Sequence, residues 1–262
     1  MYPTTKNIVL GAGRCYFDEF DAAGLPAGER YLADTPEVAI TIEQERVTEY
    51  GGDGPIAEKI IDEATSVDRS GRLTLRDISA DNLGLFLIGS LTSLSTTAGS
   101  KAAQAINGGQ GVTQGLWYQM GVSASQPAGV RAIESLVIKD SVPTTYTLDT
   151  DYREDLVNGR IYIIPGGNIA DDTVLTADYD ETTVSWEQVA THDLGPAEGA
   201  FRYVANNTKG ANRDLFIPQC RLIPSGELAW RSRDTIQSLA FDLAVVVPTD
   251  GRAAMYLNGR AA

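Results

Sequence analysis

From Val38 the chain alternates, with Val38, Ile40 and Ile42 apolar and Ala39, Thr41, Glu43 and Glu45 on the opposite set of positions. A period of two is the mark of a strand with one face buried and the other in water. Arg72-Leu73-Thr74-Leu75-Arg76 answers it, with Leu73 and Leu75 inward. The two runs predict a hairpin, and strands of about twelve residues would reach roughly 40 Å, well past the usual strand length. Between them Tyr50 to Ser70 is polar, carries Gly51-Gly52-Asp53-Gly54-Pro55, and reads as a connecting loop. A loop of about twenty residues is rare in a compact domain unless it has a task.

The rest of the chain carries the same texture. Ser135 to Ile138, Thr144 to Leu148, Arg160 to Ile164 and Thr173 to Tyr179 are short β runs, with Asn158-Gly159 and Gly166-Gly167-Asn168 as turn signals. Arg131 to Ser185 holds 11 acidic and 4 basic residues, half of the chain's net charge of -14. Residues 126–185 are therefore assigned to an inserted, solvent-facing β subdomain, and 1–125 with 186–262 to a discontinuous main β domain. Two closing strands follow at Leu215 to Ile223 and Ile236 to Val247. The one helix candidate is Ser79 to Leu94, where Leu83, Phe86, Leu87, Leu91 and Leu94 recur at spacings of three and four. Residues 95–115, rich in Ser, Thr, Gly and Ala, read as loop.

Charge and composition limit the function. Thirty-five acidic against 21 basic residues give a pI near 4.5, which disfavours gripping nucleic acid through its phosphates. The apolar run Ile8-Val9-Leu10 is too short for a signal peptide or a membrane span, so a cytoplasmic protein without a membrane partner is expected. Cys15 and Cys220 read as reduced, buried thiols.

Chemistry is thinly represented. His192 is the only histidine and sits in a loop with no G-x-S-x-G elbow elsewhere. Gly11-Ala12-Gly13 opens like a dinucleotide fingerprint, but Tyr16 stands where the third glycine belongs. Paired carboxylates such as Glu43 with Glu45 or Asp178 with Asp180 are strand neighbours, which does not place two acids across a cleft. Asp149-x-Asp151 and Asp171-Asp172 offer oxygen ligands of the kind Ca²⁺ takes, without EF-hand spacing. The expectation is no enzyme, no cofactor and no bound metal.

The order of features resembles the major tail tube proteins of long-tailed, siphophage-type bacteriophages. Leu10 to Asp18 with Gly24 to Arg30 looks like their N-terminal entry, Pro36 to Leu87 is similar to their hairpin, loop and helix, and Phe216 to Glu227 with Ile236 to Val246 look like their closing strands. The resemblance implies a mainly β, β-sandwich or barrel-like tail tube fold with one flanking helix, a long protruding hairpin and the inserted subdomain on the tube exterior. It implies homohexameric rings stacked into a tube through which double-stranded DNA passes, assembled in the host bacterial cytoplasm and residing in the virion tail. Tape measure, tail tip and terminator proteins are the implied partners.

On that reading the polar strand faces line the lumen, with Thr41, Glu43, Glu45, Arg72, Thr74, Arg76, Gln219, Arg221, Ser238 and Asp242 as candidates. The hairpin loop, with Glu49, Asp53, Glu58, Asp62, Glu63 and Asp68, is the candidate ring-stacking element. The alternative from another class is a surface-exposed carbohydrate-binding or adhesive β protein, suggested by the acidic insertion and by aromatics such as Trp117, Tyr118, Trp186 and Tyr203.

Overall fold

Alternating runs build strands, and the computed structural model, which describes residues 8–142, 144–191 and 195–259, has seventeen of them and one α-helix. In order they are β1 (Gly13–Glu19), β2 (Arg30–Tyr31), β3 (Glu37–Gly51), β4 (Glu58–Leu75), then α1 (Ala80–Leu87) and β5 (Gly89–Thr96). Next come β6 (Gly99–Ala105), β7 (Gly111–Val112), β8 (Trp117–Gln119), β9 (Ile133–Asp140), β10 (Tyr152–Asp155), β11 (Arg160–Ile163), β12 (Thr173–Glu181) and β13 (Val184–Thr191). The chain closes with β14 (Ala197–Ala205), β15 (Arg213–Ser225), β16 (Leu239–Val245) and β17 (Tyr256–Gly259). It forms two compact units, one of Met1–Thr92 with Val189–Ala262 and one of Ser93–Gln188.

The first unit is an eight-stranded antiparallel sheet in the order β2-β1-β14-β15-β16-β4-β3, with β17 paired to β15. One face is apolar. Phe17, Phe201, Ile217, Leu222, Phe241, Leu243, Leu73 and Leu75 are buried there. Helix α1 lies over β15 and β16, setting Phe86 edge-on to Phe241 at a ring separation of 5.8 Å. Full burial of such side chains contributes about 2–3 kcal/mol each, which offsets the weak intrinsic propensity of an eight-residue helix containing Gly84. Cys15 and Cys220 are free and buried on the same face. Burial pushes the two thiols up, to about 11 and about 12.

The second unit has its own core, in which Ile138, Ile161, Ile163, Ile169 and Leu175 are fully buried. A four-stranded sheet sets β6 and β9 along opposite edges of β12, with β7 at the start of β12. A three-stranded sheet has the order β10-β11-β8. Residues 93–125, placed in the main domain by the sequence reading, supply β6, β7 and β8 to these sheets. The Asn158-Gly159 turn joins β10 to β11. Gly159 sits at φ 64°, and a Cβ there would stand 2.2 Å from the Val130 carbonyl oxygen, so no other residue fits without a shift. β5 and β13, along which the chain passes between the units, pair with each other.

At the β10–β11 turn Asp155 accepts hydrogen bonds from Arg160 Nη2 at 2.8 Å and Asn158 Nδ2 at 2.8 Å, and these donors pull its carboxyl down to about 2. A carboxyl lowered in the folded state contributes its stability above its unfolded value of about 3.9 and loses it as pH falls toward 2. Titration of the Asp155 carboxyl carbon by NMR is therefore expected to show an ionised group at pH 3. A midpoint near 4 would mean that this cluster does not hold in solution.

Several expectations are corrected. The sheets are open, so the fold is neither a closed barrel nor barrel-like, and the apolar face of the large sheet is covered by α1, not by closure of the strands on themselves. The predicted long loop is not a loop: the strands run on to Gly51 and from Glu58, leaving only residues 52–57 as the connection. The helix stops at Leu87, where Ile88 adopts a left-handed conformation at φ 50°, and Leu91 and Leu94 belong to β5. The Ser and Thr residues interleaved there compete with helical hydrogen bonding and suit a strand better. Within 95–115, β6 and β7 replace the expected loop, and Thr144 to Leu148 forms only isolated bridges instead of a strand. His192 lies outside the described residues. No described helix is long and apolar enough to cross a membrane.

Candidate assembly surface

Strand register decides which side chains share a face, because residues directly opposite in a sheet point the same way. Arg72 stands opposite Ala39 on one side and Asp242 on the other. Thr41 is opposite Ser70, Glu43 opposite Asp68, Glu45 opposite Ser66 and Thr74 opposite Glu37. On β15, Arg221 is opposite Ala244 and Glu198. The register thus brings Thr41, Glu43, Glu45, Arg72, Thr74, Gln219, Arg221 and Asp242 onto one face, the one away from α1 and the core. Arg76 and Ser238 fall one residue outside β4 and β16. They line a shallow depression at that end of the sheet together with Glu37, Thr74 and Ile236.

Two residues that alternation did not reveal complete this surface. Glu198 accepts hydrogen bonds from Gln219 Nε2 at 2.6 Å and Arg221 Nε at 3.0 Å, and these donors, Gln219 first, hold its carboxyl below the usual range. Arg202 pairs with Glu29 at 2.6 Å and lies 4.4 Å from the centre of the Phe216 ring, which stacks on Tyr256. Along β14 Glu198 and Arg202 are four residues apart and share this face; the register shift between Gly199 and Phe201 places its extra residue on β15, between Ile217 and Cys220. Arg72 faces Asp242 at 3.9 Å with both side chains more than half exposed, a contact of little energetic weight.

The predicted ring-stacking residues occupy new places. Glu49, Glu58, Asp62, Glu63 and Asp68 lie in the strands, and only Asp53 is in the connection. β16 accompanies β4 no further than Ser70, so beyond Ile42 and Arg69 the hairpin is a two-stranded arm of about 30 Å with both faces in water. Its two faces differ. One carries Glu43 opposite Asp68, then Glu45, Glu63 and Glu49, and these make no ion pair with a described residue. The other carries Arg46, bonded to Asp62 at 2.8 Å, and Lys59, 3.1 Å from the same carboxylate. Hydrogen bonds from Arg46 and Lys59 lower the Asp62 carboxyl below its ordinary value. Val47, Tyr50, Ile56, Ile60, Ile61 and Val67 are exposed along the arm.

Like charges directly opposed across a strand pair, and apolar side chains left in water, both work against an isolated hairpin. β3 also leaves its outer edge unpaired over fifteen residues among the described part of the chain. A strand edge of this length is a template for a further strand. The Ca²⁺ candidates are employed otherwise: Asp151 accepts from the Thr147 and Asn168 amides at 2.8 Å, and Asp171 accepts from the Gln114 amide at 2.8 Å. Among the described residues no group of three His, Cys, Asp or Glu side chains could hold a metal ion.

Fold and surface together define a mainly β protein built on an open sheet, with one polar face, one helix-covered face and a projecting acidic arm. The chain belongs to the family described as "Protein of unknown function UCP028589", whose model matches residues 8–248. No curated protein matches it.

Proposed function

We propose that the protein is a structural virion component, not an enzyme, whose copies assemble into stacked hexameric rings forming the tail tube of a long-tailed phage. The observation that carries this reading is the fifteen-residue open edge of β3 continuing into the two-stranded arm. In a monomer this is a hazard; against a neighbouring copy it is a joint. Heterologous contact of one edge with another around an axis closes a ring, and contact along the axis stacks rings. The short β2 at the opposite edge covers only Tyr16 and Phe17 of β1, leaving room there for a neighbour's strand.

The face bearing Arg72, Arg221, Asp242 and Glu198 then forms the lumen wall. Arg72 and Arg221 each stand beside a carboxylate on the same face, which weakens their pull on passing DNA, and a wall that does not grip a polyanion suits a conduit. The arm reaches an adjoining ring, where its acidic face and exposed apolar residues find partners. The resemblance noted from the sequence supplies the hexameric number, the location in the tail, and the tape measure, tip and terminator proteins as partners. Electron microscopy of the purified, concentrated protein tests this: hollow tubes or rings are expected, and a protein that stays monomeric even with tail initiator components contradicts it.

A further inference from the structure

The second unit is acidic, yet its arginines are not scattered. Between Ser93 and Gln188 the basic residues are Lys101, Arg131, Lys139, Arg153 and Arg160, against twelve carboxylates. Three of the five gather at the three-stranded sheet β10-β11-β8. On its inner side Tyr152, Ile161 and Ile163 are buried. The alternate positions therefore point to solvent, which places Arg153, Tyr162 and Trp117 side by side in directly opposed positions, and Arg160 on the same face. Arg131 reaches the end of this sheet by donating to Asn158 Oδ1 at 3.0 Å.

The rings of Trp117 and Tyr162 lie 5.4 Å apart, and the Arg160 guanidinium stands 5.1 Å from the centre of the Trp117 ring. Arg160 is paired with Asp155 and Arg131 is held by the neutral Asn158 amide, while neither Arg131 nor Arg153 has a carboxylate within ion-pair range among the described residues. Trp117 is 48% exposed. Two aromatic rings and a free guanidinium on one face of the sheet form an apolar shelf with one charged end. Apolar shelves with few, fixed polar groups are the usual make-up of a small-ligand surface.

We infer that the shelf of Trp117, Tyr162 and Arg153 binds an acidic saccharide, a pyranose bearing a carboxylate. The rings take the C–H face of the sugar, and Arg153 takes its carboxylate in the paired geometry that a guanidinium favours. Charge complementarity selects the anionic sugar: the shelf is where the unit's positive charge collects. A nucleic acid strand suits it less well, because such strands are held by a run of cations along a groove, and here only Arg153 on the shelf and Arg131 at its end lack a carboxylate partner among the described residues, in a protein of net charge -14. The inference stands on this unit alone and does not depend on tube assembly.

Calorimetric titration of the full chain with tri-galacturonic acid tests it, with maltotriose and a short oligothymidylate as the neutral-sugar and nucleic-acid arms. Saturable binding of the uronate is expected, with at least roughly tenfold weaker binding of maltotriose and of the oligothymidylate. Arg153→Ala and, separately, Trp117→Ala should each weaken uronate binding by about tenfold or more, with the far-ultraviolet circular dichroism unchanged, since both side chains are exposed. No uronate binding, equal binding of maltotriose, tighter binding of the oligothymidylate, or full affinity in Arg153→Ala would each overturn the assignment.

Discussion

Excising residues 46–65 and joining Glu45 to Ser66 through an Asn-Gly turn is expected to abolish tube formation while leaving the monomer folded. Glu45 and Ser66 already stand opposite one another, so a two-residue turn closes the shortened hairpin in register. Every residue removed, apart from the half-buried Gly51, is exposed and none belongs to the core, so the expected loss of monomer stability is under about 1 kcal/mol. Removing the Glu63 and Glu49 carboxylates from a crowded face also relieves repulsion. Assembly, by contrast, would lose the element proposed to reach the adjoining ring. Thermal unfolding and electron microscopy of the same preparation separate the two effects. Tubes of normal length from the shortened chain would show that the arm does not stack rings.

Phe241→Ala should have the largest effect on the fold. The ring is fully buried in β16 and receives Phe86 from α1 edge-on, so truncation removes both the sheet's central side chain and the helix's anchor. Such substitutions cost about 3–5 kcal/mol, and an aromatic pair adds roughly 1 kcal/mol. That is a large part of the 5–15 kcal/mol typical of a domain. Because the second unit buries its own core around Ile161, Ile163 and Leu175, hydrogen exchange should show β15 and β16 deprotected while β11 and β12 stay protected. Equal loss of protection in both units would contradict independent cores.

The inward residues of the hairpin were legible because Val38, Ile40, Leu73 and Leu75 keep a strict period of two where they cover the core. Its length was not. Beyond Ile42 neither face is buried, so nothing in the pattern separates strand from loop, and the register shifts after Glu45 and Glu49 break what period remains. Glu198 and Arg202 were hidden for another reason: Ala197, Gly199, Ala200 and Ala205 leave β14 without a clear alternation of apolar and polar residues. Leu91 and Leu94 prolonged a helical spacing by coincidence of position, while the Ser and Thr residues around them belonged to β5. Closure is a different matter. Whether strands close on themselves depends on which strand meets which across the whole chain, and alternation within each strand carries no word of it. Eight of the ten candidate residues share one face of the sheet, most of them within regular stretches of β3, β4 and β16 and with Gln219 at the irregularity of β15, while Arg76 and Ser238 lie just past strand ends.

The central claim is that open sheets join edge to edge with the Arg72 and Arg221 face turned inward. Helical reconstruction of assembled protein by electron cryomicroscopy tests it most directly. The expected map shows rings of six with the β3 edge hydrogen-bonded to a neighbouring copy, Arg72, Arg221, Asp242 and Glu198 lining the channel, and the arm crossing to the next ring. An assembly with the β3 edge free and that face turned outward, or a protein that remains monomeric at high concentration, would contradict it.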